Sequence, residues 1–439
     1  MKVVKALLVM VFVIFGFFVL PCAFGQEAAL KIDTGDTAWV LICSALVMLM
    51  TPGLAFFYGG MVRKKNILSI LMQCFIILCV ISIQWALFGY SLSFSPGEGF
   101  WGGFGWFGLN GVGLEPYADY SSTIPHQVFM IFQAMFAIIT PALIIGAFAE
   151  RMKFSAFLLF TVLWATFVYD PLCHWVWAIG GWLRSMGALD FAGGTVVHVN
   201  AGIAAIVTAL LIGRRKNLDS NVPVPHNLPF VVLGTALLWF GWFGFNAGSS
   251  LGANGIAANA FVVTHTAAAA AGLSWALLEW LRNGKPTMFG VASGAVAGLV
   301  AITPAAGFVS VIPAIVIGLL VSVFCFTAVS VLKPKLGYDD SLDAFGVHCV
   351  GGIWGAIATG LFASKAVNPL GADGLFFGNP KQLLVQLIAV AVTILFSAIG
   401  TLVIYKVVDI LVGMRVNEKE ELIGLDLTQH RERAYTVLE

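Results

Sequence analysis

The stretch Val197-His198-Val199-Asn200-Ala201-Gly202-Ile203 lies inside a long apolar segment, and Val347-His348-Cys349-Val350-Gly351-Gly352-Ile353 repeats its pattern 150 positions later. Each reads Val-His-x-x-x-Gly-Ile, and each follows a Leu-Asp pair, Leu189-Asp190 or Leu342-Asp343. An imidazole inside hydrocarbon is costly, so an intramembrane histidine is a candidate functional residue. Two of them in matching surroundings predict a duplicated unit whose symmetry brings the two side chains together.

The composition indicates a polytopic helical membrane protein. Apolar residues make up 59% of the 439 residues and charged residues only 10%, whereas soluble domains average about 25% charged. The formal net charge of +1 gives no indication of nucleic-acid binding. The seven cysteines show no CxxC spacing, so we interpret most of them as small buried hydrophobic residues.

The first 25 residues are interpreted as a secretory signal peptide. Lys2 and Lys5 give a basic start, 6–20 is a short apolar core, and small residues follow at 23–25. A cleaved signal is preferred to an additional transmembrane helix because this core is short for a membrane span. We therefore expect a signal peptide over 1–25, a membrane domain over 26–412 and a cytoplasmic C-terminal tail over 413–439.

Eleven apolar segments of spanning length follow the signal peptide. We place them near 38–60, 67–91, 126–149, 154–178, 193–213, 227–248, 257–281, 288–305, 308–332, 345–364 and 382–412. Most lysines and arginines of the short loops follow odd-numbered spans. The positive-inside rule then places the mature N-terminus outside and the tail in the cytoplasm, in a multi-pass protein of the cytoplasmic (inner) membrane.

The two histidines divide the spans into equal halves. His198 falls in the fifth span and His348 in the tenth, and an odd number of spans per half inverts the second half relative to the first. The predicted fold class is an all-α polytopic membrane protein with eleven transmembrane helices. It is an inverted five-plus-five repeat with an extra eleventh helix, and its substrate path is expected at the interface between the halves.

Aromatic groups at 132–136, 175–177 and 242–245 lie at or near the outer ends of spans three, four and six. An interfacial aromatic belt is one explanation. A cation site is the other, because ring faces attract ammonium-type cations by about 1–2 kcal/mol when desolvated. Ser249 follows the third group, and its hydroxyl can accept a hydrogen bond from such a cation.

Asp190 and the histidines allow more than one chemical role. Asp190 precedes the fifth span, where it is either a helix N-cap or a buried carboxylate that favours a nearby cation. Two neighbouring imidazoles can share a proton, which suits a small polar molecule in an apolar pore. Because no further ligand stands at suitable spacing, and no nucleophile–base pair or cofactor loop is present, we expect no metal, no cofactor and no enzymatic activity.

Several of these segments resemble the ammonium transporter (Amt/Mep/Rh) family, specifically its bacterial and archaeal Amt branch. The stretch 188–198 resembles the family signature around the first pore histidine, and 343–348 resembles the segment around the second. Phe56-Phe57-Tyr58-Gly59-Gly60, Gly146-Ala147-Phe148-Ala149-Glu150-Arg151, 241–249 and Thr303-Pro304-Ala305-Ala306-Gly307 are also similar to family segments. Together they extend over nearly the whole chain after the signal peptide.

The resemblance implies a recruitment site and a gate. Trp177, Phe136 and Ser249 resemble the outer site that binds ammonium in the family. Phe136 and Phe245 resemble the stacked pair that occludes the pore below that site.

The resemblance also implies a conduction path and partners. His198 and His348 resemble the twin histidines that line the path, and Asp190 resembles the carboxylate that supports recruitment and deprotonation. The family fold is a homotrimer with one pore per subunit, and a PII signalling protein often docks at its cytoplasmic face. We predict ammonium uptake by capture, deprotonation and conduction; an electroneutral ammonia channel and an ammonium sensor with the transporter fold are the alternatives.

Overall fold

The computed structural model describes residues 31–97, 99–216 and 225–435. The predicted signal peptide lies outside the described residues. Within them, ten helices are long and apolar enough to cross a membrane, and one further apolar helix has 15 residues. These eleven spans are α1 Thr34–Met61, α2 Ile67–Phe94, α3 His126–Phe148, α4 Phe154–Met186, α5 Gly194–Ile212, α6 Leu228–Ser250, α7 Gly255–Asn283, α8 Met288–Ile302, α9 Val311–Leu336, α10 Phe345–Phe362 and α11 Pro380–Val412. The predicted all-helical fold class is confirmed.

The start of α1 and the end of α8 differ from the predicted bounds, and the residues at these helix ends explain the difference. Helix α1 begins at Thr34 because Asp33 is its N-cap and accepts the backbone N–H of Asp36. Helix α8 ends at Ile302, three residues before the predicted bound, and the chain then turns through Pro304. A proline has no N–H for a helical hydrogen bond, so it helps to end the helix there.

The two ends of the bundle are called the tail face and the vestibule face. The tail face carries the C-terminal helices α12 Glu418–Ile423 and α13 Leu425–His430. Helix α13 is bonded to the turn before α2 and to the first turn of α2: Leu425 N donates to Asn66 Oδ1 at 2.7 Å, and Ser69 N donates to Asp426 Oδ1 at 2.8 Å. The vestibule face is the opposite end and includes the loop between α2 and α3.

A buried ion network joins several helix ends at the tail face. Glu150 accepts Arg63 at 2.7 Å and Arg215 at 3.2 Å, while Asp339 accepts Arg215 at 2.9 Å and Arg151 at 3.2 Å. Burial alone would raise the pKa of Asp339, but the two guanidinium groups beside it lower that pKa to about 2. The network therefore stays charged at neutral pH and fixes the ends of α1, α3 and α5 against the loop before α10.

The two halves of the bundle pack closely against each other at a reciprocal pair of glycines. A Cβ atom on Gly202 would lie 2.4 Å from the backbone nitrogen of Cys349, and one on Gly352 would lie 3.0 Å from that of Val199. Each glycine stands four residues after its histidine and contacts the residue that follows the other histidine. This reciprocity is what a pseudo-two-fold relation between inverted halves requires, and it brings the two histidines to one place.

Candidate pore and recruitment site

The two histidines of the repeated stretches lie together inside the bundle. The ring centroids of His198 and His348 are 5.5 Å apart with an interplanar angle of 16°, and the side chains are 1% and 3% exposed. They line a cavity of about 10 Å³ whose other walls are apolar. Within the described part of the chain, both ring nitrogens of His198 and Nδ1 of His348 lack a hydrogen-bond partner. These nitrogens are free to bind a small molecule or a proton.

Both histidines lie in π-helical turns, at Gly194–Val199 and Phe345–Cys349. Such turns insert an extra residue into a helix and occur often at functional sites. Asp190 explains how the first turn begins. Its Oδ1 accepts the backbone N–H of Gly193 and Gly194 at 2.8 and 2.5 Å, and its Oδ2 accepts those of Thr195 and Val196 at 2.8 and 3.2 Å. Asp190 thus accepts four backbone N–H groups at the start of this turn, as a helix-capping carboxylate does.

The counterpart of Asp190 in the second half is Asp340. Asp340 precedes His348 by eight residues, as Asp190 precedes His198, and its Oδ2 accepts the N–H of Phe345 at 2.7 Å. Burial raises the pKa of Asp340 to about 6. Asp343 instead pairs with Lys333 at 2.6 Å and has a φ of +61°. The two Leu-Asp pairs are therefore not structurally equivalent: Asp340, which lies as far before its histidine as Asp190 does, is the carboxylate bonded to the second turn.

The three predicted recruitment residues line one cavity at the vestibule face, with a volume of about 190 Å³. The rings of Phe136 and Trp177 meet edge to face, with centroids 5.7 Å apart. The hydroxyl of Ser249 donates to the carbonyl of Phe245 at 2.9 Å, so its lone pairs remain available to accept from a cation. The indole N–H of Trp177 donates to the carbonyl of Asp190 at 2.8 Å, which connects the cavity to the cap of the histidine turn.

The same cavity includes polar side chains that we did not predict. Gln133 lies one helical turn before Phe136, a spacing that identifies it as a neighbour on the same face of α3. Arg184 donates to the carbonyl of Trp177 at 2.5 Å and also lines the cavity. Trp175 does not line this cavity; its indole N–H points to the loop between α2 and α3, where it donates to the carbonyl of Phe100. Of the two tryptophans in this segment, only Trp177 belongs to the cavity lining.

An aromatic pair separates this cavity from the histidines. The centroids of Phe136 and Phe245 are 4.4 Å apart, and each side chain is 1% exposed. Phe245 lies 6.1 Å from His198 between ring centroids. The rings of Trp177, Phe136, Phe245, His198 and His348 therefore form one continuous file from the vestibule face into the interior. A molecule entering along this file must first displace the phenylalanine rings.

The profile of the Ammonium Transporter Family matches residues 38–435. The chain belongs to the ammonium transporter family. An ammonium transporter of Bacillus subtilis is 56% identical over 91% of this chain and 98% of its own length. The ammonium transporter Amt1 of Archaeoglobus fulgidus is 49% identical over 92% of this chain and 99% of its own. The family is one of membrane transporters, which agrees with the apolar helical bundle.

Solved structures of the family have the same fold. Candida albicans Mep2 superposes with a TM-score of 0.84 at 38% identity, over 92% of this chain and 91% of that chain. A protein described as a sensor Amt protein superposes with a TM-score of 0.82 at 29% identity, over 90% of this chain and 98% of that chain. The predicted membership of the ammonium transporter family is confirmed by sequence and by fold.

Proposed function

We propose that this protein takes up ammonium across the cytoplasmic membrane through a pore within each protomer. The observation that carries the proposal is the file of rings from the recruitment cavity to His198 and His348, in a chain of the ammonium transporter family. Phe136, Trp177 and Ser249 bind the cation: the rings present π faces, and the hydroxyl accepts an N–H bond.

The ion gives up its proton before it enters the pore. Moving a bare ammonium-sized ion into an apolar interior has an idealised cost of order 20 kcal/mol, whereas cation–π contacts contribute only about 2 kcal/mol. The walls around the histidines are apolar and offer no carboxylate, as far as the described lining shows. Ammonium is therefore deprotonated near Phe136 and Phe245, and neutral ammonia crosses. The proton follows along the unpartnered nitrogens of His198 and His348, so each cycle moves one positive charge.

Asp190 acts through the backbone in this scheme. Its carboxylate holds the turn that carries His198, and its carbonyl fixes the indole of Trp177. Asp190 thus fixes the position of the Trp177 indole in the recruitment cavity and the position of the turn that carries His198. Its net negative charge also favours a cation in the adjoining cavity.

The proposed arrangement in the cell follows from the loops and the outer surface. The vestibule face lies outside and the tail face in the cytoplasm, because the basic loops follow the odd-numbered spans. We also propose the homotrimer that the family resemblance implies. His265 supports it: this exposed histidine lies within α7 beside Trp239, and an imidazole on an outer surface at membrane depth is unfavourable unless another protomer covers it.

Ammonium sensing is the second candidate function. The likeness to a sensor Amt protein over 90% of the chain favours it, as does the bonding of the C-terminal tail to the tail face. A signalling partner of the PII type, docking at this face, would then read the occupancy of the pore.

Current recording in proteoliposomes tests the proposed function. Ammonium pulses give a transient current with the wild-type protein, and His198→Ala lowers that current while uptake of methylammonium continues. His430→Ala, which removes an imidazole of the tail, is the control and keeps the wild-type current. An unchanged current in the His198→Ala protein contradicts the proton path. Absence of any current from a wild type that takes up methylammonium supports the electroneutral channel instead.

A further inference from the structure

The turn after α8 has no part in the path described above, yet it contacts the surroundings of His198 at two points. The hydroxyl oxygen of Thr303 accepts the indole N–H of Trp242 at 2.8 Å. The ring of Pro304 packs so closely on Gly194 that a Cβ atom on Gly194 would lie 2.5 Å from it, and the carbonyl of Pro304 accepts the N–H of Phe191 at 3.2 Å. The turn therefore contacts both the start of the histidine turn and a ring beside the histidine.

Trp242 is the ring through which this contact reaches the histidine. Its indole lies nearly parallel to the imidazole of His198, with centroids 5.4 Å apart and an interplanar angle of 22°. The indole is 2% exposed. On its other side the rotation of the indole is fixed by Thr303, whose own hydroxyl donates to the carbonyl of Leu299 at 2.7 Å. The Thr303 hydroxyl therefore donates to one partner, Leu299, and accepts from another, Trp242, and these two bonds fix its orientation.

His198 needs such support because hydrogen bonds do not orient it. A functional histidine usually has one ring nitrogen bonded to a carbonyl or a carboxylate, which sets the tautomer and the plane of the ring. Both nitrogens of His198 lack such a partner among the described residues. The plane of the ring is consequently set by the rings that pack beside it, namely Trp242, Phe245 and His348.

We propose that Thr303 and Trp242 are positioning residues for proton transfer by His198. The hydroxyl fixes the indole, the indole fixes the imidazole, and the π face of the indole stabilises the imidazole when it carries the proton. This inference rests on the proposed function, since it concerns the proton that His198 passes on. Ammonia itself needs only an open apolar path, so the two residues should affect the charge that crosses more than the substrate that crosses.

The decisive quantity is therefore the charge moved per methylammonium taken up, measured as current and as radiolabelled uptake in the same proteoliposomes. Thr303→Val keeps the shape of the side chain but removes the acceptor. We expect it to lower this ratio about tenfold, the effect of one buried hydrogen bond of this kind. Trp242→Phe, which removes both the N–H and the larger π face, lowers the ratio as well. Thr303→Ser retains the hydroxyl and restores the wild-type ratio.

The chain offers a matched control at a distance from the pore. The indole N–H of Trp164 in α4 donates to the hydroxyl of Thr401 in α11 at 3.0 Å, and both side chains are fully buried. Thr401→Val breaks the same kind of bond, and we expect current and uptake to keep their wild-type ratio in this variant.

The outcomes separate the inference from the proposed function. If the wild type takes up methylammonium without current, the proton path itself fails. If the wild type gives current but Thr303→Val and Trp242→Phe keep its ratio, only the positioning role is overturned. Equal falls of the ratio in Thr303→Val and Thr401→Val also overturn it, because they show a general packing effect. If Thr303→Val does not fold, Trp242→Phe decides alone.

Discussion

Asp190→Asn is the substitution that best separates helix capping from chemistry at the vestibule face. One carboxylate oxygen accepts from Gly193 and Gly194, and the other from Thr195 and Val196. An asparagine replaces one of these oxygens with an NH₂ group, which cannot accept. Two buried backbone N–H groups then lose their partner at about 1–3 kcal/mol each, so the native state loses about 2–6 kcal/mol.

Thermal unfolding of the purified protein in detergent measures this loss. We expect Asp190→Asn to lower the melting temperature by several degrees and to reduce transport at the same time. Asp343→Asn is the control, because Asp343 makes a partly exposed ion pair with Lys333 and such pairs contribute at most about 1 kcal/mol. If Asp190→Asn melts with the wild type and yet abolishes transport, the carboxylate acts on the substrate and the capping argument is refuted.

Three further predictions concern the cavity and the tail face. Ser249→Ala removes an acceptor of the recruitment cavity, and we expect the half-saturating concentration for methylammonium uptake to rise about tenfold; an unchanged value excludes this hydroxyl from the site. Arg215→Gln leaves Glu150 and Asp339 with one guanidinium partner fewer, so the protein loses about 3–5 kcal/mol of stability, measured as a lower melting temperature; an equal melting temperature contradicts a role for the network. Burial raises the pKa of Asp340 from 3.8 to about 6, so its contribution to stability is present below pH 4 and is lost as the pH rises to 6. Asp340→Asn should remove that part of the pH dependence of the melting temperature, and an identical profile in the variant contradicts it.

Hydropathy was sufficient to predict the helical bundle, because each span is an apolar segment of the length a bilayer requires. The pairing of His198 with His348 was predictable for a different reason. The residues that let the halves approach, Gly202 and Gly352, belong to the same repeated frame as the histidines. The symmetry was thus encoded locally, in two stretches that can be compared by eye.

The two Leu-Asp pairs do not identify the carboxylate that is bonded to the second histidine turn. Applying the offset of 150 positions to Asp190 identifies Asp340, whereas Asp343 lies three residues too late. From eight residues before its histidine, each carboxylate reaches backbone N–H groups at the start of the following turn, those of 193–196 for Asp190 and that of Phe345 for Asp340.

The contact between Trp242 and Thr303 could not be predicted from a single sequence. Thr303 lies 61 positions away in the chain, and the two residues meet only because α6 and α8 pack together. In a chain that is 59% apolar, patterns of hydrophobicity do not single out which buried hydroxyl contacts which indole. Contacts of this kind follow from the packing of complete helices, so they became visible only in the structure.

The central claim is that His198 and His348 act as one proton path. A double-mutant comparison of the charge moved per methylammonium tests it most directly, with His198→Ala, His348→Ala and the double variant in matched proteoliposomes. Residues that act as a unit are strongly non-additive. We predict that either single variant lowers the ratio as far as the double variant does. Single effects that multiply to give the effect of the double variant would show two independent groups and contradict the claim.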